Sequence, residues 1–189
     1  MNPMPSDAAR RRGRWTLVAL FALFFGTVFG AGVLRFSGWQ PPGHKNHGEM
    51  LEPAVDARRV VPQTHDGQPY PWNAGERLWR IAVVAPADCT ATCMKLAQDL
   101  DKVWRLFGHN ADKVEILWIG DVPRGAPATE VRRSIAPTPE LLAVLPQHED
   151  ARGIPVYVID PNGFVILRYA PGFDPGGLHK DVSKLLKLM

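Results

Sequence analysis

The sequence predicts an α/β domain whose elements run β-α-β-α-β-β-α, carried behind a single N-terminal transmembrane helix. Three observations predict it. An uncharged run of twenty residues, 15–34, is long enough to cross a bilayer as a helix. Beyond Leu78, short apolar β-rich runs alternate with segments of helical period. The only two cysteines, Cys89 and Cys93, fall where the first such run meets the first such helix.

Along the 189 residues these features set off a basic tail (1–14), the apolar helix (15–34), a tether with an irregular lead-in (35–77) and a folded domain (78–189). Arg10, Arg11, Arg12 and Arg14 precede the apolar run, and only Arg35 and Lys45 stand close behind it. The positive-inside rule therefore places the tail in the cytoplasm and the domain outside. In a bacterium that is an inner-membrane anchor with a periplasmic domain. A cleaved signal peptide is the competing reading, because Val28-Phe-Gly30 offers small residues near a cleavage point, although no Ala-x-Ala follows the run. Gly26 and Gly30 have a helix-pairing spacing, but in so glycine-rich a span they fit a plain anchor better.

The net charge of +3 belongs to the tail, whose four arginines face only Asp7; the rest balances 18 basic against 18 acidic residues from totals of 22 and 19. The basic balance thus reports membrane topology, and no nucleic-acid footprint is present. From 36 to 76 the chain is rich in Pro, Gly, His and Asn without a sustained period. Within it, Val60-Val61 and Asp66-Gly-Gln-Pro-Tyr70 predict a short strand and turn.

Periodicity then sharpens. A strand over 79–85 leads into a helix over 92–107, whose stripe Leu96, Leu100, Val103, Trp104 and Phe107 repeats at three and four residues. Gly108 ends it. A strand over 114–119 carries Trp118 inward, a loop runs through Pro137, and a short helix covers 139–145. Strands over 156–160 and 164–169 flank Asp160-Pro-Asn-Gly163, a turn composition that makes them a hairpin. The closing helix, 174–188, opens on Asp174-Pro175, a cap followed by proline at the first helical position. Lys180, Lys184 and Lys187 with Asp181 read as its solvated face.

The chemistry concentrates at the cysteines. A thiol at a strand–helix junction feels the positive end of the helix dipole, which favours the thiolate that attacks disulfides or binds soft metals. Asp88 either caps the helix or raises the thiol pKa by like-charge repulsion. An inert structural disulfide is the bland alternative, but it would close a very short loop and constrain the unfolded chain little. Two thiolates suit Cu(I), with Met94 a candidate thioether ligand, and they equally suit reversible thiol–disulfide exchange. The residues alone leave both open. Cys89, nearer the loop, is the expected attacking thiol and Cys93 the resolving one.

His44, His47 and His65 lie in the tether and read as solvated, although His44-x-x-His47 could collect copper loosely. His109 follows a helix end and can satisfy its carbonyls, and His179 sits on the closing helix, facing out. No Ser-His-Asp arrangement, phosphate loop or paired-carboxylate site stands out.

Gly153-Ile-Pro155 before a strand resembles the Gly-Ile-Pro of thioredoxins. That resemblance implies a three-layer thioredoxin-like domain with a cis peptide at Pro155, close to Cys89 and Cys93 and shaping the groove for a partner's backbone. Cys89-Thr-Ala-Thr-Cys93 after the first strand of a membrane-tethered domain resembles the Sco/SenC proteins, as do Val114-Glu-Ile-Leu-Trp-Ile-Gly120 and Tyr157-Val-Ile-Asp-Pro-Asn-Gly163. Small membrane-anchored proteins associated with cytochrome oxidase in proteobacteria are similar in Asn46-His-Gly-Glu-Met-Leu-Glu-Pro53, in the cysteine unit and in Asp174-Pro-Gly-Gly-Leu-His-Lys-Asp181.

The resemblance implies a factor for cytochrome c oxidase biogenesis that acts by thiol–disulfide exchange or Cu(I) handling. Its partner would be an oxidase subunit or another assembly factor, and copper its cargo. Two departures stand against this pattern. Met94 replaces the proline that follows the second cysteine in Sco proteins, and the window Asp150-Ala-Arg-Gly-Ile-Pro-Val156 lacks their third ligand, a histidine. His148, slightly upstream, is the candidate substitute. A general periplasmic thiol–disulfide oxidoreductase and a non-catalytic assembly scaffold with a structural disulfide are the alternatives.

Overall fold

The computed structural model describes residues 7–37 and 46–188. Two compact units emerge, Met1–Gly43 and His44–Met189. In the first, α1 (Asp7–Phe36) is one continuous helix. Within Arg11–Phe36 the most apolar 18 residues have a mean hydropathy of 2.4 and none of them is buried, so the helix's length and composition allow it to cross a membrane. The helix extends beyond the uncharged run at both ends, on the N-terminal side through alanines and arginines that are good helix formers.

The second unit is built on a six-stranded mixed sheet: β1 (Glu49–Asp56), β2 (Trp79–Val84), β3 (Val114–Ile119), β4 (Arg132–Ile135), β5 (Val156–Ile159) and β6 (Phe164–Tyr169). The spatial order is β1-β6-β5-β2-β3-β4. β2 lies parallel to β3 and antiparallel to β5, with Ile81 between Ile116 and Val158.

Side chains alternate across this sheet. Ile81, Val83, Ile116, Trp118, Val158 and Leu167 share one buried cluster with α2 (Ala91–Leu106) and α4 (Pro175–Leu186). Ala82, Leu117, Ile119, Tyr157 and Ile159 share the other with Leu141 of α3 (Pro139–Ala143) and with Val55, Tyr70 and Trp72 of the lead-in. Helices on one face, and a short helix with the lead-in on the other, give three layers.

The helices form where their periods place them. α2 buries Cys93, Ala97, Leu100 and Val103, each large aliphatic contributing roughly 1.5–3 kcal/mol. Gly108, at a φ of 56°, turns the chain out of it. At α4, Asp174 accepts from the Gly176 and Gly177 N–H groups at 2.9 Å each, ahead of Pro175. The β5–β6 hairpin turns at Gly163, φ 98°.

Two strands lie where the sequence predicts loop. β1, inside the expected tether, pairs only with β6, and its register shifts between Met50 and Val55, where the Glu52–Pro53 peptide is cis. Only Leu51 and Val55 turn partly inward, so it shows no period of two. β4 buries only Ile135 among two arginines and a serine. Its outer edge is covered by the lead-in, where Thr64 bridges Ile135 and the His65 N–H donates to Ser134 O at 3.1 Å. Val60-Val61 forms no strand; the predicted turn sits at Thr64–Gly67, flanked by a Gln63–Pro69 bridge.

The lead-in also covers a buried arginine. Arg80, 1% exposed, donates to Tyr70 Oη at 3.0 Å and to Leu78 O at 3.0 Å, and lies over the Trp72 ring at 5.3 Å. Tyr70 in turn donates to Glu115, which Arg133 holds at 2.9 Å.

Candidate redox site

β2 ends at Val84, and a turn closed by the Cys89 N–H on Pro86 O (3.1 Å) delivers the chain into α2. Cys89 and Cys93 are joined as a disulfide, with S–S 2.05 Å and Cα–Cα 5.6 Å. Cys93, in the first turn of α2, is fully buried, whereas Cys89 is partly exposed. Cys89 is therefore the sulfur open to attack. The expected cap does not form: Thr90 stands at the N-cap, no side chain bonds the first turn, and Asp88 points to solvent. Thiolate stabilisation at this helix end consequently comes from backbone N–H groups and the dipole.

Cys89 separates two recesses. One is lined by Met94, Asp121, Val122 and Arg124, and the other by Asp88, Thr92, Asp150, Gly153 and Ile154. A third recess, of about 170 Å³, continues the second through shared Thr92, Gly153 and Ile154 to Leu96, Pro171 and Phe173. Together the second and third make one groove beside the disulfide.

Pro155 departs from expectation. Among the described residues the cis peptide is Glu52–Pro53, so Ile154–Pro155 is trans, and Ile154 rather than Pro155 lines the groove with Cys89. The physical reason lies upstream. Gly153, at a φ of 137°, and its N–H bond to Asp150 O (2.9 Å) already turn the chain toward β5, leaving proline its default isomer. That turn is held by charge. Asp150 accepts from Arg152 and from buried Arg168, each at 2.8 Å, and these bonds, Arg152 foremost, keep its carboxyl well below the usual carboxylate range.

The histidines scatter. His148 lines an adjoining recess with Val84, Pro137 and Leu142 that shares Pro86, Asp150, Ala151 and Gly153 with the one Cys89 lines, its Nδ1 3.1 Å from Leu145 O. It is not among the residues that line the recesses with Cys89. Among the described residues, no three His, Cys, Asp or Glu side chains converge as a metal site. Met94 does share a recess with Cys89, so once reduced the pair would present two thiolates and a nearby thioether, a soft donor set suited to Cu(I). His44 lies outside the described residues. His65 reaches Gly120 O at 3.2 Å. It is His179, not His109, that serves the end of α2, with Nε2 3.3 Å from Leu106 O and its ring stacked on Phe107 at 5.1 Å.

Asp181, expected on a solvated face, is 1% exposed. It accepts from the His47 N–H at 2.6 Å, the Gly48 N–H at 3.1 Å and the Tyr169 O–H at 3.0 Å, with His47 Nδ1 at 3.2 Å and Lys184 Nζ at 3.3 Å. Burial alone would raise its pKa, but the bonds from Gly48, His47 and Tyr169 outweigh it and the net shift is downward. His47 is thus tied to the domain by this carboxylate. The signal was present in the sequence. Asp181 stands three residues after Leu178 and four before Leu185, on the apolar stripe of α4, where a carboxylate needs a partner.

The family model described as transmembrane-like, thioredoxin-like, C-terminal domain matches residues 79–189, and the chain belongs to that family. Among solved structures, BsSco, a member of the Sco family of cytochrome c oxidase assembly proteins, is similar at a TM-score of 0.54 and 12% identity, over 75% of this chain and 98% of that one. Trgpx in its apo form is similar at 0.51 and 12%, over 70% of this chain and 95% of that one. At these identities the likeness shows a shared thioredoxin-like fold. No curated protein matches in sequence.

Proposed function

From membership in this thioredoxin-like family, we propose that the chain is a membrane-anchored thiol–disulfide exchange factor serving cytochrome c oxidase biogenesis. The observation that carries the exchange chemistry is the asymmetry of the pair: Cys89 is partly exposed in a groove, and Cys93 is buried one helical turn on. In the reduced protein, the Cys89 thiolate attacks a partner's disulfide and forms a mixed disulfide, and one partner thiolate leaves and takes up a proton. The Cys93 thiolate then attacks Cys89 Sγ, closing the Cys89–Cys93 bond and releasing the second partner thiol. Two electrons pass to the partner, and a separate dithiol donor must restore the pair.

What supports this setting is the resemblance of its motifs to those of oxidase-associated proteins and the fold in common with a Sco-family assembly protein. The partner is an oxidase subunit or another assembly factor. Arginines 10, 11, 12 and 14 favour a cytoplasmic N-terminus, with the domain in the periplasm of a bacterial inner membrane. Met94, beside Cys89, favours a second reading in which the reduced pair carries Cu(I) to the same partner.

The test is a Cys93→Ser variant of the full chain expressed in cells. It traps mixed disulfides through Cys89, and the account expects an oxidase subunit or assembly factor as the main adduct. Adducts with many unrelated proteins would favour a general oxidoreductase. No adduct, together with normal oxidase assembly in a Cys89→Ser, Cys93→Ser strain, would leave only a scaffold.

A further inference from the structure

We propose that His47 and Gly48 are a supporting part of the redox groove: Asp181, by clasping them and Tyr169, positions Phe173, which packs on Tyr169 and walls the recess that holds an apolar side chain of the partner polypeptide beside Cys89. This rests on the exchange reading above and names what the groove selects.

The recess is walled by Leu96, Ile154, Pro171 and Phe173, and its volume of about 170 Å³ suits a single side chain. At its mouth Lys95 pairs with Asp99 at 3.7 Å and Arg152 with Asp150 at 2.8 Å, so the rim presents compensated charge. A neutral apolar side chain gains most there, since a charged one would lose water without finding a free counter-charge. Continuity with the sulfur fixes the occupant. The recess shares Thr92, Gly153 and Ile154 with the one that Cys89 lines, so a side chain seated in it belongs to the polypeptide whose disulfide lies over Cys89.

The wall is held from behind. Pro171, Gly172 and Phe173 line this recess on one side and, on the other, a second one formed with His47 and Glu49. Phe173 packs against Tyr169 with ring centroids 5.6 Å apart, and Tyr169 donates to Asp181. Two glycines let the clasp close. A Cβ on Gly48 would stand 2.6 Å from Tyr169 Cζ, and one on Gly177 would stand 2.7 Å from His47 Cβ. Asp181 and Gly48 touch no reacting atom; they are positioning residues.

The experiment uses the full chain in detergent, reduced and freed of reductant, reacting with two disulfide-closed peptides that differ only in a leucine or a serine beside one cysteine. The expected result is a wild-type preference for the leucine peptide of about tenfold in the single-turnover second-order rate constant, carried by the peptide concentration that half-saturates the rate. In Asp181→Asn and in Phe173→Ala that preference falls below about twofold. Should Asp181→Asn fail to fold, Phe173→Ala and Gly48→Ala decide. Equal rates for the two peptides with wild-type protein, or an undiminished preference in the variants, overturn the inference while leaving exchange intact. Wild-type protein that reduces neither peptide overturns the exchange reading and this inference together.

Discussion

Replacing Asp181 by alanine separates the two readings of α4 most sharply. On a solvated face the change would stay within about 0.5 kcal/mol. In the fold, it strips the acceptor from the buried Gly48 N–H and Tyr169 O–H, and also from the His47 N–H at 2.6 Å. Each buried donor left unsatisfied costs about 1–3 kcal/mol, so the two buried ones set an expected loss of roughly 2–6 kcal/mol. The assay is urea unfolding followed by tryptophan fluorescence, at neutral and at acid pH. Because the carboxyl's folded pKa lies below its ordinary 3.8, its charge contributes stability above that value and loses it as pH falls through the folded one. The gap between wild type and variant therefore narrows below about pH 4. A neutral-pH loss under about 0.5 kcal/mol would refute the clasp.

Other outcomes follow from the same structure. Burial pushes Tyr70 and Tyr157 up to about 12 and Tyr169 higher still. The stability this represents is complete below the unfolded value near 10 and is lost as pH rises through the folded ones, so absorbance at ~295 nm should show no tyrosinate until the domain unfolds. Gly120→Ala places a Cβ 2.7 Å from Ala85 O at a φ of 104° and should cost about 2 kcal/mol or more in urea unfolding, slowing exchange by displacing the turn before Cys89. If the pair carries copper, anaerobic Cu(I) titration of the reduced protein against a competing chelator should find a one-to-one site. That site should be lost in Cys89→Ser, weakened about tenfold in Met94→Leu and unchanged in His148→Ala.

What the sequence reveals follows from where each residue sits in the sheet. β2, β3, β5 and β6 are legible because central strands bury long β-branched runs, and α2 because Leu100, Val103 and Phe107 keep a helical period. β1 and β4 are edge strands with one ladder partner each along most of their length. Glu52, Pro53, Arg132 and Arg133 erase their alternation, so pairing across the chain makes them, not local preference. At the site, the placement and asymmetry of Cys89 and Cys93 follow from the strand–helix junction alone. The trans Ile154–Pro155 peptide depends on a turn that Asp150 and Arg152 hold together with Arg168 from the neighbouring strand. The Asp181 clasp joins residues 134 apart, and only the misplaced charge on an apolar stripe hints at it.

The most direct test of the redox account is the reduction potential of the pair in the full chain, from the fraction of free thiols trapped after equilibration in glutathione and, at lower potentials, dithiothreitol buffers. The account predicts a reversible two-electron transition between about −120 and −270 mV, the range of exchange-active pairs, with Cys89 alkylated well before Cys93. A pair that resists reduction beyond about −300 mV until the domain unfolds would be a structural disulfide and would contradict the account.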